Sequence, residues 1–114
     1  MSFLLYNNAE VIKRLDGDLL MKNWNFITNH GLVLLYISKN PQCTMRDMAA
    51  TLGVTERSIQ RVLKDLEAEG YVTWQGTGKG NIYQINHTRG LRHELTKDSL
   101  VGELLDLLGH KKKV

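Results

Sequence analysis

Two helix patterns joined by a single glycine constrain this chain more than any other feature of its sequence. The first pattern begins at Thr44, whose hydroxyl can cap a helix, and Asp47 follows at the spacing of a capping box. Gly53 ends this helix, because glycine adopts the positive φ of a helix C-terminus without strain. Thr55 can cap the second helix, and Gly70 ends it. The sequence therefore predicts two short helices separated by a tight turn.

Each of these helices carries an apolar stripe at helical spacing. The stripes consist of Met45, Met48, Ala49 and Leu52 in the first helix, and of Ile59, Val62, Leu63 and Leu66 in the second. The small side chain of Ala49 would allow the two helices to approach closely. Two short helices that pack around a glycine turn are typical of a helix-turn-helix.

The face of the second helix opposite its apolar stripe is cationic. Its side chains are Arg57, Arg61 and Lys64, flanked by Ser58 and Gln60. The three cations fall within ~60° of one another on a helical projection, which makes a ridge suited to the guanine and adenine edges of a major groove. The alternative is a solvated face with ordinary ion pairs, such as Arg61 with Asp65 four residues later. On this helix alone the two interpretations are equally supported.

Composition adds little to this choice. The chain has 114 residues, a formal charge of +3 and a pI near 9.1, which fit one small domain and are compatible with a polyanionic partner. Between residues 44 and 81 the charges cancel. The basic residues there are Arg46, Arg57, Arg61, Lys64 and Lys79, and the acidic ones are Asp47, Glu56, Asp65, Glu67 and Glu69. Binding to DNA would therefore depend on where each charge lies.

Cys43 is the only cysteine, so no internal disulfide can form and a reducing cytoplasm is the expected compartment. We expect Cys43 to be a small buried residue, although a reactive thiol remains the alternative.

The start of the chain is the least informative part. The apolar run at residues 3–6 is far too short for a signal peptide or a membrane span. Residues 1–23 are interpreted as an extension, either a partner-binding arm or a frayed end, and residues 10–23 can form a helix weakened by a glycine. Trp24, Phe26 and Ile27 are expected to mark the start of the packed domain.

A core helix and a β-hairpin are predicted on either side of the helix-turn-helix. The helix covers residues 29–39, is apolar on nearly all sides, and ends at Asn40 because the residue before a proline avoids helical angles. The hairpin joins strands at 71–75 and 82–86 through the glycine-rich loop 76–81, with Lys79 near its tip. A nucleotide-binding loop is not favoured, since the loop lacks a Gly-Lys-Ser/Thr ending and a following helix.

These elements define a mostly α fold with a small β-hairpin (α+β): a three-helix core, a wing and a C-terminal helix. With residues 29–35, 53–63 and 66–71 in particular, the chain resembles the winged helix-turn-helix transcriptional regulators of bacteria and archaea, especially the MarR-like group. The resemblance covers residues 24–108. It implies a sequence-specific regulator that binds double-stranded DNA, usually as a homodimer near the nucleoid, with helix 55–69 in the major groove and wing 76–81 on the backbone or minor groove.

The resemblance also implies which residues touch DNA. Carried over by position, Arg57, Ser58, Gln60, Arg61 and Lys64 would be the helix contacts, Thr44, Arg46 and Thr55 would touch phosphate, and Thr77 and Lys79 would belong to the wing. The wing departs from the family pattern, because this chain has Gly78-Lys79-Gly80 where relatives commonly place arginine. Lysine can hold a phosphate but lacks the planar fork of arginine.

The end of the chain suggests a partner. Residues 98–108 are predicted to form a helix whose apolar stripe is Leu100, Val101, Leu104, Leu105 and Leu108. The stripe can pack on the chain's own core or on a second copy. We favour dimerisation, because a self-sufficient winged domain at residues 24–90 would leave little surface to cover it. Residues 91–109 are accordingly interpreted as a dimerisation segment and residues 110–114 as a basic tail.

No catalytic, cofactor or metal site is predicted. The histidines and the single cysteine show no ligand spacing, and no Ser/His/Asp set lies on recognisable elements. The chain is therefore not expected to be an enzyme, and an effector ligand is left open. The alternative to DNA regulation is a winged-helix module that binds protein or RNA through the same cationic face.

Overall fold

The computed structural model describes residues 24–109. Its elements, in chain order, are α1 (Asn29–Lys39), β1 (Gln42–Cys43), α2 (Met45–Leu52), α3 (Glu56–Ala68), β2 (Val72–Thr77), β3 (Gly80–Ile85) and α4 (Val101–Gly109). The predicted extension 1–23, with its possible helix at 10–23, and the basic tail 110–114 lie outside the described residues. The fold is α+β, as predicted, with α1, α2 and α3 as the core and a small sheet beside them.

The helix α1 has the bounds that the sequence predicts. Thr28 precedes it, and its hydroxyl accepts a hydrogen bond from the backbone N–H of Gly31 at 3.5 Å. Asn40 ends it, before the single proline. The side chains of Val33, Leu34 and Ile37 are buried, and α1 packs against α2, α3 and α4. This central position explains why the helix is apolar on most of its sides.

The residues before α1 differ from the expectation. Ile27 is half-buried and lies against Gly31, where its Cγ2 atom would come within 2.5 Å of an added Cβ. Trp24 and Phe26 are instead exposed, by 61% and 90%, and their rings contact each other edge to face. Of the three residues predicted to mark the start of the packed domain, Ile27 is therefore the one that packs against α1.

The helix-turn-helix is formed by α2 and α3. The Thr44 hydroxyl accepts a hydrogen bond from the Asp47 N–H, and the Thr55 hydroxyl accepts one from the Ser58 N–H, both at 3.0 Å. Gly53 has a φ of +74°, which confirms its role as the left-handed C-cap of α2. The predicted buried residues of α3 are confirmed, and they are Ile59, Val62, Leu63 and Leu66.

The three strands form an antiparallel sheet in the order β1-β3-β2. The strands β2 and β3 extend further toward each other than predicted, so that the loop expected at 76–81 is reduced to the turn Gly78-Lys79. Gly80 has a φ of +114°, and a Cβ on it would lie 2.9 Å from the Cys43 carbonyl oxygen. Glycine at this position therefore allows β1 to lie alongside β3.

The C-terminal helix is shorter than predicted and begins at Val101. Leu100 precedes it, and its N–H donates to the Glu103 carboxylate at 2.8 Å. The helix packs against α1, and the side chains of Val101 and Leu105 join the hydrophobic core of their own chain. The expectation that the winged domain leaves little surface to cover this helix is therefore wrong for Val101 and Leu105, which are buried in their own chain and cannot also face a partner. No helix within residues 24–109 is long and apolar enough to cross a membrane.

Candidate nucleic-acid interface

The outward face of α3 presents the cations that the sequence places there. Arg57, Gln60, Arg61 and Lys64 are exposed, and they lie opposite the buried stripe that holds α3 against α1 and α2. Within the part of the chain that the structure describes, Arg57, Arg61 and Lys64 take part in no salt bridge. The ridge therefore keeps its positive charge available for an external anion.

The ion pair that would have neutralised this ridge is not formed. Asp65 is spaced to reach Arg61, but its carboxylate oxygen lies 2.9 Å from Nε2 of His30 on α1. Glu69, the residue directly after α3, pairs with Arg92 at 3.8 Å. Both acids thus face away from the cationic ridge, so the solvated-face interpretation loses the pair on which it depended.

The caps of the two helices limit what their hydroxyls can do. The Thr55 hydroxyl accepts from the Ser58 N–H and donates to the Ser58 hydroxyl oxygen at 3.1 Å. Ser58 is half-buried and keeps its own hydroxyl proton free for an outside acceptor. Thr44 accepts from Asp47, which leaves its proton available in the same way. Thr44 and Ser58 are therefore better placed than Thr55 to donate to DNA.

The wing offers one cation. Lys79 is exposed in the two-residue turn between β2 and β3. The Thr77 hydroxyl donates to the Gly80 carbonyl at 2.6 Å and accepts from the Lys79 N–H at 3.1 Å and from the Gln42 amide at 3.4 Å. These bonds use its one proton and both lone pairs. Thr77 therefore shapes the turn, and its contact with DNA stays a prediction.

Arg46 has a neighbour that the sequence analysis did not single out. Its Nε atom lies 3.7 Å from a carboxylate oxygen of Glu56, and both side chains are exposed. Arg46 lies in the first turn of α2 and Glu56 in the first turn of α3. Both residues follow a threonine cap within two positions, Arg46 as the second residue of α2 and Glu56 as the first of α3, and this placement is the sequence signal for the pair.

The remaining chemistry of the site is sparse. Burial, and to a lesser extent the Asp47 carboxylate, raise the pKa of the Cys43 thiol above that of a free cysteine, which opposes a role as a reactive thiolate. Cys43 is buried, as predicted. Among residues 24–109, no three His, Cys, Asp or Glu side chains are grouped so that they could hold a metal ion.

Comparison with known proteins agrees with this geometry. Residues 25–78, from the start of the described chain to the wing turn, match the model described as the MarR family. This match supports a winged helix-turn-helix of the MarR family. The MarR family suggests a DNA-binding transcription regulator, and its members are not enzymes. The match ends before β3 and α4. No curated protein and no solved structure matches the chain.

Proposed function

We propose that this MarR-family chain is a transcription regulator that binds double-stranded DNA sequence-specifically, with α3 in the major groove. The observation that carries the proposal is the exposed ridge of Arg57, Arg61 and Lys64, which no acid of the described chain neutralises. A surface of this kind, on a helix whose back is buried, can enter a groove without disturbing the core. The proposal includes no catalytic step, metal or cofactor.

Each polar residue of the ridge has a role that follows from its side chain. The guanidinium groups of Arg57 and Arg61 can bind guanine through two parallel hydrogen bonds, and the amide of Gln60 can bind adenine in the same way. Ser58 can donate to a base or a phosphate, and Lys64 suits a phosphate. Specificity is therefore assigned to the first half of α3.

Phosphate contacts are assigned to the flanks of the ridge. The N-termini of α2 and α3, with Thr44, Arg46 and Thr55 beside them, present backbone N–H groups that favour anions. Lys79 at the wing turn would anchor the backbone on the other side. A single lysine there supplies attraction without the narrow-groove recognition typical of arginine.

The assembly proposed is a homodimer formed through α4. Leu100, Leu104 and Leu108 are half-buried on the chain itself, Leu107 is 73% exposed, and Phe26, 90% exposed, borders the same cleft as Leu104. An apolar surface of this kind is typical of an interface. Residues 24–90 would form the DNA-binding domain and residues 91–109 the dimerisation segment. Two copies would read half-sites ~34 Å apart, at promoters in a prokaryotic cytoplasm.

Selection of bound sequences from a random duplex pool tests the proposal. The full chain is expected to enrich a palindromic motif, and Arg57→Ala and Arg61→Ala to bind that motif more weakly. Lys97→Ala removes an exposed cation outside the helix-turn-helix, one that pairs with Glu94 at 2.8 Å, and is expected to bind like the parent. No enrichment at low salt, or capture of RNA or a protein in place of duplex DNA, would favour the winged-helix interaction module instead.

A further inference from the structure

We propose that the Glu56 carboxylate competes with DNA phosphate for the Arg46 side chain. In the absence of DNA its carboxylate holds Arg46, and it lowers the affinity for duplex DNA of any sequence without taking part in base recognition. The inference rests on the proposed function, because it concerns the same surface. It assigns to an acidic residue at the edge of the interface the task of limiting sequence-independent binding.

The position of Glu56 is what suits it to this role. Glu56 is the first residue of α3, directly after the Thr55 cap, and Arg46 is the second residue of α2. Their charged groups lie 3.7 Å apart, with side chains 53% and 85% exposed. The carboxylate therefore lies beside a helix N-terminus and a cation together, which are the two features that attract a phosphate to a helix-turn-helix.

A DNA phosphate that approaches Arg46 meets the Glu56 carboxylate, which already interacts with the Arg46 side chain and with the N-terminus of α3. Arg46 can bind the phosphate only after it leaves Glu56, and Glu56 then remains near the DNA backbone as a like charge. Because Glu56 lies 3.7 Å from Arg46, a phosphate bound by Arg46 would lie closer to Glu56 than the Debye length of about 8 Å at physiological salt, and the repulsion would be only partly screened. The pair is exposed and contributes little to folding stability. A variant of Glu56 should therefore change the affinity for DNA more than it changes the free energy of unfolding.

The charges of residues 44–81 balance, so the loss of a single acidic residue changes the net charge of this segment. Between residues 44 and 81, five basic residues face five acidic ones, so the net charge is zero, and removal of one acid makes it +1. Of these acids, Asp65 is held by His30 and Glu69 by Arg92, both directed away from the ridge. Glu56 is the acid that is paired with a predicted phosphate contact.

The variant Glu56→Gln tests the inference in the full chain. We expect it to bind a random-sequence duplex and the selected duplex several-fold more tightly at about 50 mM salt, by similar factors. The slope of log affinity against log salt should become steeper by about 0.9, the contribution of one more phosphate contact. The motif selected from a random pool should stay the same. A changed motif would show that Glu56 reads a base and would overturn the inference.

Two further variants separate this mechanism from a general effect of charge. Glu67→Gln removes an exposed carboxylate from the far end of α3, one that forms no salt bridge within residues 24–109. It is expected to bind like the parent, and an equal gain there would overturn the inference. When Arg46→Ala is combined with Glu56→Gln, the gain in DNA affinity from Glu56→Gln should disappear. In the parent, Arg46→Ala should lower the DNA affinity much less than it does in Glu56→Gln.

The outcomes distinguish this inference from the proposed function. If the parent binds duplex DNA and Glu56→Gln binds no more tightly, only the inference fails. If the parent binds no duplex at low salt, the proposed function fails and the inference falls with it. Thermal unfolding of each variant, with unchanged cooperativity, shows that the binding data refer to folded protein.

Discussion

Nε2 of His30 lies 2.9 Å from a carboxylate oxygen of Asp65, and this contact turns the acid spaced to reach Arg61 toward α1 instead. The same pair ties the start of α1 to the C-terminal half of α3. An exposed contact of this type stabilises the fold by ~0–1 kcal/mol. Its larger consequence is electrostatic, because it keeps a negative charge away from the ridge that we assign to DNA.

The first prediction concerns this pair. In His30→Ala, Asp65 is free to approach Arg61, so the affinity for duplex DNA should fall a few-fold while the protein stays folded. The affinity is measured by fluorescence anisotropy with a labelled duplex. His93→Ala removes another exposed histidine and should bind like the parent. When His30→Ala is combined with Asp65→Asn, the loss of DNA affinity caused by His30→Ala should disappear. A loss that persists in the double variant would contradict the explanation.

The second prediction concerns the close approach of β1 and β3. Gly80→Ala places a Cβ 2.9 Å from the Cys43 carbonyl at a φ of +114°, so it should destabilise the fold by about 1–3 kcal/mol. Gly78→Ala is the matched control, since a Cβ there meets nothing within 4 Å. Urea unfolding of both variants measures the difference. Equal stabilities would show that the sheet adjusts without strain.

The third prediction separates the two faces of α4. Leu105 is 4% exposed and Leu107 is 73% exposed on the same helix. Leu105→Ala should lower the free energy of unfolding by about 2–5 kcal/mol, because it removes core contacts and leaves a cavity. Leu107→Glu should leave the unfolding of the isolated chain nearly unchanged and should weaken self-association in sedimentation. A parent that is monomeric at tens of micromolar would remove the proposed dimer.

The local elements of this fold could be predicted from sequence because their signals are local. The threonine caps at Thr44 and Thr55 and the glycine at Gly53 act on backbone groups within a few residues, so α2 and α3 were placed to within a residue or two. The stripe of α3 predicted its buried face for the same reason, since one side of a short helix must pack against its neighbours.

Other features could not be predicted because they depend on contacts between distant residues. The stripe of α4 reads alike whether it packs on α1 or on a second copy, and only the structure shows Val101 and Leu105 in the chain's own core. The third strand of the wing sheet depends on the pairing of Gln42 in β1 with Ile82 in β3, which lies 40 residues later in the chain. Spacing along α3 does not show whether Asp65 pairs with Arg61. The pairing of Asp65 with His30, 35 residues away, shows that it does not.

The affinity of Arg61→Ala for the duplex selected by the parent tests the central claim most directly. If Arg61 reads a base in the major groove, the variant should lose about 1–3 kcal/mol of binding free energy and its preference at one base pair of each half-site. Lys97→Ala, measured alongside, should lose neither. An Arg61→Ala variant that binds the selected duplex with the affinity and base preference of the parent would contradict the account.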